Sequence, residues 1–509
     1  MSDGVRLGVT IGVLICGTIG WSLGGVIGAG VGLALGLALL IVPWWRQPLW
    51  SWAGLVFRRN QPIDVEALST VANDRSGGGV RYQDGIAVTC IQILGKPYQP
   101  TYFTGSSAAM TANTLHLGEL VSVLRQSLGL RLESVSLVTW GARRRSSGDY
   151  PAVYDTLIGT PPYAGQRETW LVVRLCALTN GDALRWRPTV GTAALAATQR
   201  IAVTLRCRGI RAKVATATDI TELEKRLGGG ALQPHNRRWR FLRGDSGWQT
   251  SYAYPAAALN SDLLEQAWSL RADGIIQNIT LFPDRTVSAT VTVSTAQPPT
   301  ASPSVILQTL PGRQLHARVA ALCCPRPRIG GLSRGPLPGT LMVPVGPAGV
   351  LFGKTADGER LLLPLGDPGA QTRVHIAAED SIAKRIVIRT AAAGDRVTVH
   401  TRDVQRWQSV RMSHVAVVEH PRPVAGTTVS VTDGSISPAP RPNTMISVGP
   451  PGAKPDCSAD IVITQIGPHS IEITVAGRRY QVEMEFFRAE NRYLTATAVD
   501  PAAVRELVD

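Results

Sequence analysis

The sequence predicts a membrane protein in which an N-terminal two-helix transmembrane hairpin precedes α/β (α+β) cytosolic domains. The first of these domains is predicted to have the β-α-β-β-α-β order of ferredoxin-like folds. Three observations lead to this fold class. The N-terminus carries a long uncharged run, strand-like and helix-like patterns alternate in the first half, and a second alternation follows residue 350.

The hairpin is predicted from residues 7–45, which form a run of 39 residues without a charged side chain. One spanning helix needs about 20 apolar residues, so the run is long enough for two. Residues 21–25 contain two adjacent glycines and one tryptophan, which suits a turn at the membrane interface. The first helix is therefore expected over about residues 5–20 and the second over about 26–43.

Aromatic and basic residues follow the run and are predicted to anchor it at the interface. These anchors are Trp44, Trp45, Arg46, Trp50, Trp52, Arg58 and Arg59. Because Arg6 precedes the run and the other arginines follow it, both termini and the bulk of the chain are expected in the cytoplasm. A cleaved signal peptide fits less well, since the run is too long and lacks a small-residue cleavage site.

Four glycines, Gly24, Gly28, Gly32 and Gly36, recur every four residues in the predicted second helix. Such spacing places small residues along one stripe, where another helix can approach closely. The stripe is therefore a candidate packing surface for a partner helix. The alternative is that glycine is simply common in membrane helices.

The composition is basic, with 52 Lys and Arg against 37 Asp and Glu and a net charge of +15. On a membrane-tethered domain this charge favours anionic lipid headgroups. The arginines are dispersed and no nucleic-acid-binding motif is recognisable, so a nucleic-acid partner is not expected. The seven cysteines are scattered and lack zinc-site spacing, which is typical of reduced core thiols.

Residues 61–230 are predicted to form the first cytosolic domain, behind the hairpin and collar of residues 1–60. Residues 79–94 alternate around Asp84-Gly85, a hairpin signature. The remaining elements are predicted from their hydrophobic period. They are a helix over 111–128, strands over 132–140 and 169–175, a helix over 188–207 and a strand over 210–215.

The rest of the chain is divided by composition and pattern into four regions. A second α/β region, with strands over 248–254, 275–282 and 286–294, covers residues 231–345, and its element order resembles that of the first. Residues 346–420 are predicted to form a small α/β unit with parallel strands. The Pro/Gly-rich residues 421–459 are predicted to be irregular, and residues 460–509 to be a β-rich C-terminal segment.

One chemical motif, residues 348–355, matches a permissive phosphate-binding loop in which Ala348 replaces the first glycine and Gly353, Lys354 and Thr355 form the end. Such a loop requires a helix that starts at the Lys-Thr pair, but a turn and a strand follow here, so a β-hairpin is the main interpretation. These three residues are kept only as a weak cofactor-binding alternative. Catalytic residues, cofactors and metal ligands are not predicted elsewhere.

Several stretches carry a family resemblance: the hairpin with its Trp/Arg collar, SGGGVRYQDGIAV from residue 76, WLVVRL from 170, GTAALAATQRI from 191 and GIRA from 209. The chain resembles the EccE family, a membrane component of the type VII (ESX) secretion system, over about residues 5–230. The resemblance implies a non-enzymatic structural subunit of the bacterial inner membrane, with EccB, EccC and EccD as partners. The alternative is a membrane-anchored enzyme that uses nucleotides or nucleotide-sugars through the Lys354 region.

Overall fold

The computed structural model describes most of the chain. The described residues are 3–40, 43–44, 47–48, 52, 55–56, 66–72, 77–104, 108–142, 166–244, 247–270, 272–326, 329, 332–455 and 458–494.

The helices of the described residues differ widely in length. In chain order they are α1 (Asp3–Leu40), α2 (Leu117–Leu120), α3 (Gly181–Leu184), α4 (Val190–Cys207), α5 (Ala217–Arg226), α6 (Ser261–Gln266), α7 (Gln314–Ala320), α8 (Asp380–Ala392) and α9 (Val404–Trp407).

The strands of the first half, in chain order, are β1 (Pro43–Trp44), β2 (Gln47–Pro48), β3 (Ser69–Ala72), β4 (Gly77–Gln83), β5 (Ile86–Gly95), β6 (Thr101–Thr104), β7 (Ala108–Thr111), β8 (Thr114–His116), β9 (Ser134–Ala142), β10 (Gln166–Cys176), β11 (Arg211–Val214), β12 (Leu242–Gly244) and β13 (Gly247–Ala253). Those of the second half are β14 (Gly274–Leu281), β15 (Thr286–Thr295), β16 (Gln308–Thr309), β17 (Gly335–Pro336), β18 (Met342–Pro344), β19 (Val350–Lys354), β20 (Arg360–Leu363), β21 (Thr372–Ala377), β22 (Val397–His400), β23 (Val415–Val418), β24 (Val429–Thr432), β25 (Thr444–Gly449), β26 (Ile461–Gln465), β27 (Ser470–Val475) and β28 (Arg478–Glu483).

The first large sheet is antiparallel and has the order β12-β13-β15-β14-β9-β10-β5-β4-β3, with β11, β16 and β17 paired at its margins. The predicted hairpin is confirmed: β4 and β5 pair around Asp84 and Gly85, which both have positive φ (53° and 76°). The other predicted strands of residues 132–294 are confirmed as members of this one sheet. The predicted boundary at residues 230/231 therefore falls inside a continuous sheet.

Alternate side chains of this sheet enter two separate cores, because successive residues of a strand point to opposite faces. On one face, Ala87 and Ile91 pack with α4, in a core that continues into the second sheet. On the other face, Val88 and Cys90 pack with α5 and with the residues around α7. The sheet is thus covered on both sides.

The helix predicted over residues 111–128 is wrong. The structure has β8, the single turn α2 and two 3₁₀ turns instead. Leu117, Leu120 and Leu124 are buried, as the helical spacing indicated, whereas Leu128 of the same pattern is 82% exposed. However, β8 pairs with β18, and this distant pairing overrides the local helical preference. The strands β11-β5-β10-β9 are adjacent in that order, but without this helix the ferredoxin-like assignment stays a prediction.

The second large sheet has the order β23-β22-β24-β25-β21-β26-β27-β28-β19-β20-β6-β7. Its first six strands are parallel, which confirms the parallel pairing expected near residue 350. The remaining pairs are antiparallel.

The prediction that residues 421–459 are irregular is wrong for two stretches. β24 and β25 lie side by side inside the parallel sheet, with β22 and β21 as their outer neighbours. Pro and Gly occupy the connections around these strands, so composition alone hid two short buried strands.

The two sheets exchange chain segments as well as contacts. After β5, the chain leaves the first sheet and supplies the edge hairpin β6–β7 to the second sheet, then returns through β8. Arg211 on β11 forms a bidentate ion pair with Asp367 beside the second sheet, at 2.6 and 2.9 Å. The described strands of the second sheet are therefore not consecutive along the chain.

Candidate functional site: the membrane anchor and its junction with the body

The N-terminal helix α1 is interrupted at Gly24 and Gly25, whose backbone angles are not helical. Gly25 has φ +60° and ψ −140°, a conformation that glycine adopts without steric cost. Within the described part of the chain, one stretch, Gly8–Ala38, is long and apolar enough to cross a membrane. The break therefore lies in the middle of the candidate membrane segment, where two adjacent glycines were expected to turn the chain.

The two halves of α1 lie against each other on both sides of this break. The backbones of Gly20 and Gly28 are so close that a Cβ atom on either glycine would collide with the carbonyl of the other. A Cβ on Gly32 would collide with the carbonyl of Cys16, and one on Gly36 would lie 3.0 Å from the Cys16 Cβ atom. These contacts require glycine, because any larger residue would separate the halves.

The predicted glycine stripe thus finds its neighbour within the chain. Gly28, Gly32 and Gly36 contact the first half of α1, whereas Gly24 lies at the break and has open space around it. The expectation that this stripe faces a partner helix is corrected accordingly, because the surface nominated for another subunit is occupied by the preceding half of the same segment.

The outer surface of α1 is apolar and uncovered. Leu23 and Ile27 are 85% and 82% exposed, and Leu14 is 58% exposed. The hydroxyls of Thr18 and Ser22 donate to carbonyls three residues earlier, at 2.9 and 2.8 Å, so they need no outside partner. An apolar surface of this extent requires an apolar environment such as lipid or other membrane helices.

The predicted interface anchors are only partly visible. Trp45, Arg46, Trp50, Arg58 and Arg59 lie outside the described residues. The backbone of Trp44 belongs to β1, which pairs with β2. Their role as interface anchors stays a prediction.

Trp52 contacts the body. Its ring lies 5.9 Å from that of Trp239, at an interplanar angle of 41°. Trp239 in turn packs on Gly312, whose φ is +70° and whose Cβ, if present, would lie 2.8 Å from the indole. The Gly312 amide donates to the Trp239 carbonyl at 2.6 Å. This contact joins the collar after the anchor to the loop that precedes α7.

The Lys354 region forms the expected β-hairpin, in which β19 and β20 pair around Asp357 and Gly358. The Lys354 ammonium lies 3.2 Å from the Glu485 carboxylate, which also accepts from Arg360 at 2.8 Å. Burial disfavours the Glu485 charge, but these hydrogen bonds outweigh it and lower the pKa of the carboxyl group. Lys354 therefore forms an ion pair with Glu485.

The structure explains why residue 353 is a glycine. A Cβ atom at this position would collide with the Glu483 carbonyl and lie 2.8 Å from the Met484 Cα atom. The glycine thus permits close approach of β19 to β28. The motif is explained by strand packing, and no helix follows Thr355, which caps the hairpin turn.

Two buried arginines of the first sheet hold the end of α7. The Arg174 guanidinium is fully buried and donates to the carbonyls of Ala320, Leu322 and Cys324, at 2.6 to 3.2 Å. Arg81 donates to the Cys323 carbonyl at 2.5 Å and pairs with Glu224 on α5 through both terminal nitrogens. Positive charge at a helix C-terminus is favourable, and these bonds fix α7 on the sheet.

Three thiols lie inside this junction. The sulfur atoms of Cys90 and Cys323 are 3.3 Å apart, and Cys324 follows directly. The hydrogen bond with Cys90, together with burial, raises the pKa of Cys323, and burial raises the pKa of Cys324 to about 12. All three thiols are buried in the core, as predicted, and their reduced state stays a prediction. Among the described residues, no group of three or more His, Cys, Asp or Glu side chains could hold a metal ion.

Comparison with known proteins decides the family. A family model described as "Putative type VII ESX secretion system translocon, EccE" matches residues 163–254. The chain is 48% identical over 484 residues to ESX-2 secretion system protein EccE2 of Mycobacterium tuberculosis (strain CDC 1551 / Oshkosh), covering 91% of this chain and 90% of that protein. The chain belongs to the EccE family.

More distant EccE proteins match smaller parts. ESX-1 secretion system protein EccE1 of the same strain is 26% identical over 70% of this chain and 71% of its own length. ESX-5 secretion system protein EccE5 of Mycobacterium marinum is 27% identical over 34% of this chain and 44% of its own length. The family resemblance drawn from the sequence is thereby confirmed, and the chain is an EccE protein with one candidate membrane helix near its N-terminus.

Proposed function

We propose that this EccE protein is a non-enzymatic structural subunit of a type VII (ESX) secretion membrane complex, where it supports assembly or stability during protein export. The observation that carries the proposal is the 48% identity, over nine-tenths of both chains, with a protein named as an ESX-2 secretion system component. Its partners are the EccB, EccC and EccD membrane subunits and the surrounding lipids.

The anchor is a two-pass hairpin in the bacterial inner membrane, with both termini and the body in the cytoplasm. Three features support this topology: the break at Gly24-Gly25, the glycine contacts between the two halves, and the exposed apolar outer surface. The half of α1 after the break, residues 26–40, has 15 residues and is shorter than the about 20 residues of an average span, so local thinning of the bilayer accompanies its insertion.

The body acts as a scaffold. Several of its charged side chains form structural bonds, namely Arg174 with the end of α7, Arg211 with Asp367, and Lys354 with Glu485. Nothing favours the alternative of a nucleotide-dependent enzyme at Lys354, because the glycine before it serves strand packing.

Co-purification tests the proposal. The full chain and a chain beginning at residue 61 are each expressed in the host and extracted in detergent, and the associated proteins are identified. The full chain is expected to bring down EccB, EccC and EccD, and the shortened chain is expected to lose them while its body keeps a native circular dichroism spectrum. Retention of the complex without the anchor would move the assembly surface to the body.

A second measurement separates the scaffold from the enzyme. The purified full chain is titrated with ATP and with UDP-glucose, with Lys354→Ala as the comparison. The scaffold proposal predicts no binding at micromolar concentrations. Micromolar binding that Lys354→Ala abolishes would refute it.

A further inference from the structure

A groove of about 960 Å³ runs along the outward face of α4. One wall is the irregular stretch that replaces the expected helix, from Ser122 to Leu128, and the floor is formed by α4 itself. A helix with a diameter of about 10 Å and a pitch of 5.4 Å occupies about 420 Å³ per turn, so the groove has room for about two turns.

The floor is open because several residues on this face of α4 have small or medium-sized side chains. Thr192, Ala196 and Val203 follow one another at helical spacing along the groove. The opposite face of α4, with Leu195 and Ile201, is buried on the sheet. α4 is thus packed on one side and free to accept a neighbour on the other.

Large apolar side chains project beside this groove. Leu128 lines it and is 82% exposed, and Trp186, one residue before the lining residue Arg187, is 86% exposed. Leu128 also has φ +60°, a left-handed conformation that costs a leucine roughly 1–2 kcal/mol. A strained backbone that holds an apolar side chain in solvent is typical of a binding surface.

The charge of the groove has one sign. Arg125, Arg187 and Arg200 line it, and none of the lining residues is acidic. Within the described part of the chain, none of these three arginines forms an ion pair, and the Arg200 Nε atom is buried without a hydrogen-bond partner. Burial and, next, the charge of Arg187 lower the pKa of Arg200. Carboxylates of a partner would supply counter-charges for the arginines and accept a hydrogen bond from Arg200.

The groove also lies across the first sheet from the contact between Trp52 and Trp239. α4 covers one face of the first sheet, whereas α7 and the Trp52–Trp239–Gly312 contact lie on the other face. A membrane surface that meets the chain at this contact lies across the sheet from the groove. The groove is concave, a shape that suits an inserted protein segment better than a flat bilayer.

We propose that the groove along α4 binds an acidic amphipathic helix of a partner protein. The apolar face of that helix packs on Ala196, Val203 and Leu128, with Trp186 at the rim, and its carboxylates pair with Arg125, Arg187 and Arg200. The inference rests on the groove alone, so it stands or falls independently of the secretion complex proposed above.

The test uses the full chain in nanodiscs of phosphatidylcholine and a labelled synthetic peptide of about 16 residues, with leucine at helical spacing and glutamate at the other positions. Fluorescence anisotropy is expected to give a micromolar dissociation constant that weakens as salt is added. A control peptide with lysine in place of glutamate is expected to bind at least tenfold more weakly.

Variants locate the binding. The triple change Arg125→Glu, Arg187→Glu and Arg200→Glu is expected to weaken binding of the glutamate peptide at least tenfold. Arg479→Glu, at an exposed arginine on β28, is the matched control and is expected to change nothing. Leu128→Gly is expected to weaken binding while keeping or raising the thermal stability of the chain, because glycine tolerates the left-handed backbone.

Several results would overturn the proposal. These are no binding of the glutamate peptide, equal binding of the lysine peptide, or binding that ignores the triple charge reversal. Sedimentation with phosphatidylglycerol vesicles that depends on the same arginines, without peptide binding, would assign the surface to a membrane. A tenfold gain in peptide affinity on removal of residues 495–509 would instead make the chain's own tail the occupant.

Discussion

Arg389 and Glu490 form a bidentate ion pair in which both side chains are fully buried. Arg389 Nε and Nη2 donate to the two carboxylate oxygens at 2.7 and 3.0 Å, and Nη1 donates to the Phe352 carbonyl at 3.1 Å. Arg385 approaches the same carboxylate at 3.2 Å. The pair fastens the segment after β28 to α8 and β19, so the end of the described chain closes the second sheet.

Removal of this carboxylate is expected to unfold part of the body readily. Glu490→Ala leaves the Arg389 charge buried without a counter-ion, which should lower the free energy of unfolding by about 3–5 kcal/mol. Urea unfolding of the full chain in detergent, followed by tryptophan fluorescence, measures the change. Glu119→Ala is the control, because its pair with Arg208 is 44% and 38% exposed and should contribute at most about 1 kcal/mol. A loss below 1 kcal/mol for Glu490→Ala would contradict this interpretation.

The thiols around α7 are expected to be unreactive in the folded protein. Cys323 and Cys324 are buried with raised pKa values, whereas Cys207 at the end of α4 is exposed. With a pKa of about 12, Cys324 carries roughly a thousandfold less thiolate at pH 8 than an ordinary cysteine, so maleimide should label Cys207 first. Mass spectrometry of the peptides, before and after urea is added, measures how far each cysteine is labelled. Labelling of Cys324 at the rate of Cys207 would show that the junction opens.

His316 on α7 is expected to make the body sensitive to mild acid. Burial, followed by the charges of Arg313, Arg326 and Arg237, lowers the pKa of His316 to about 4. Because the unfolded chain binds this proton with a pKa near 6.5, stability present above pH 6.5 is lost as the pH falls toward 4. The loss between pH 7 and pH 5 is about 2 kcal/mol.

The variant His316→Leu isolates this effect, since all other titrations are shared with the native chain. Urea midpoints are compared at pH 7 and pH 5 for both proteins, and the native chain should lose more stability than the variant. Equal losses would mean that His316 is protonated without penalty in the folded state.

Local patterns predicted the strands of the body well, because a buried strand shows its period within a few residues. The hairpin at Asp84-Gly85 and the long helix α4 were recognisable for the same reason. The hairpin at Lys354 was likewise indicated by the missing helix.

Features that depend on distant partners were missed. Leu117, Leu120 and Leu124 show helical spacing, but β18 pairs with β8 and prevents the predicted helix. No local signal marks β6 and β7 as members of the second sheet. A lone Arg389 or Glu490 also looks like an ordinary surface residue in the sequence, and only the fold brings the two together without solvent.

For the glycine stripe, the sequence predicts a close contact but does not identify the neighbouring helix. The spacing from Gly28 to Gly36 predicts a close helix contact, and in the structure these three glycines lie against the first half of α1. The sequence did not reveal that this helix is the first half of the same segment.

Replacement of these glycines tests whether a glycine-closed hairpin holds the chain in the secretion complex. The double variant Gly28→Leu/Gly32→Leu is compared with Gly30→Leu, whose position has open space around it. After detergent extraction, the amounts of EccB, EccC and EccD that co-purify with equal amounts of each chain are measured. We expect the double variant to lose most of the complex and Gly30→Leu to retain it. Full assembly of the double variant would show that the glycine contacts are not needed to hold the chain in the complex.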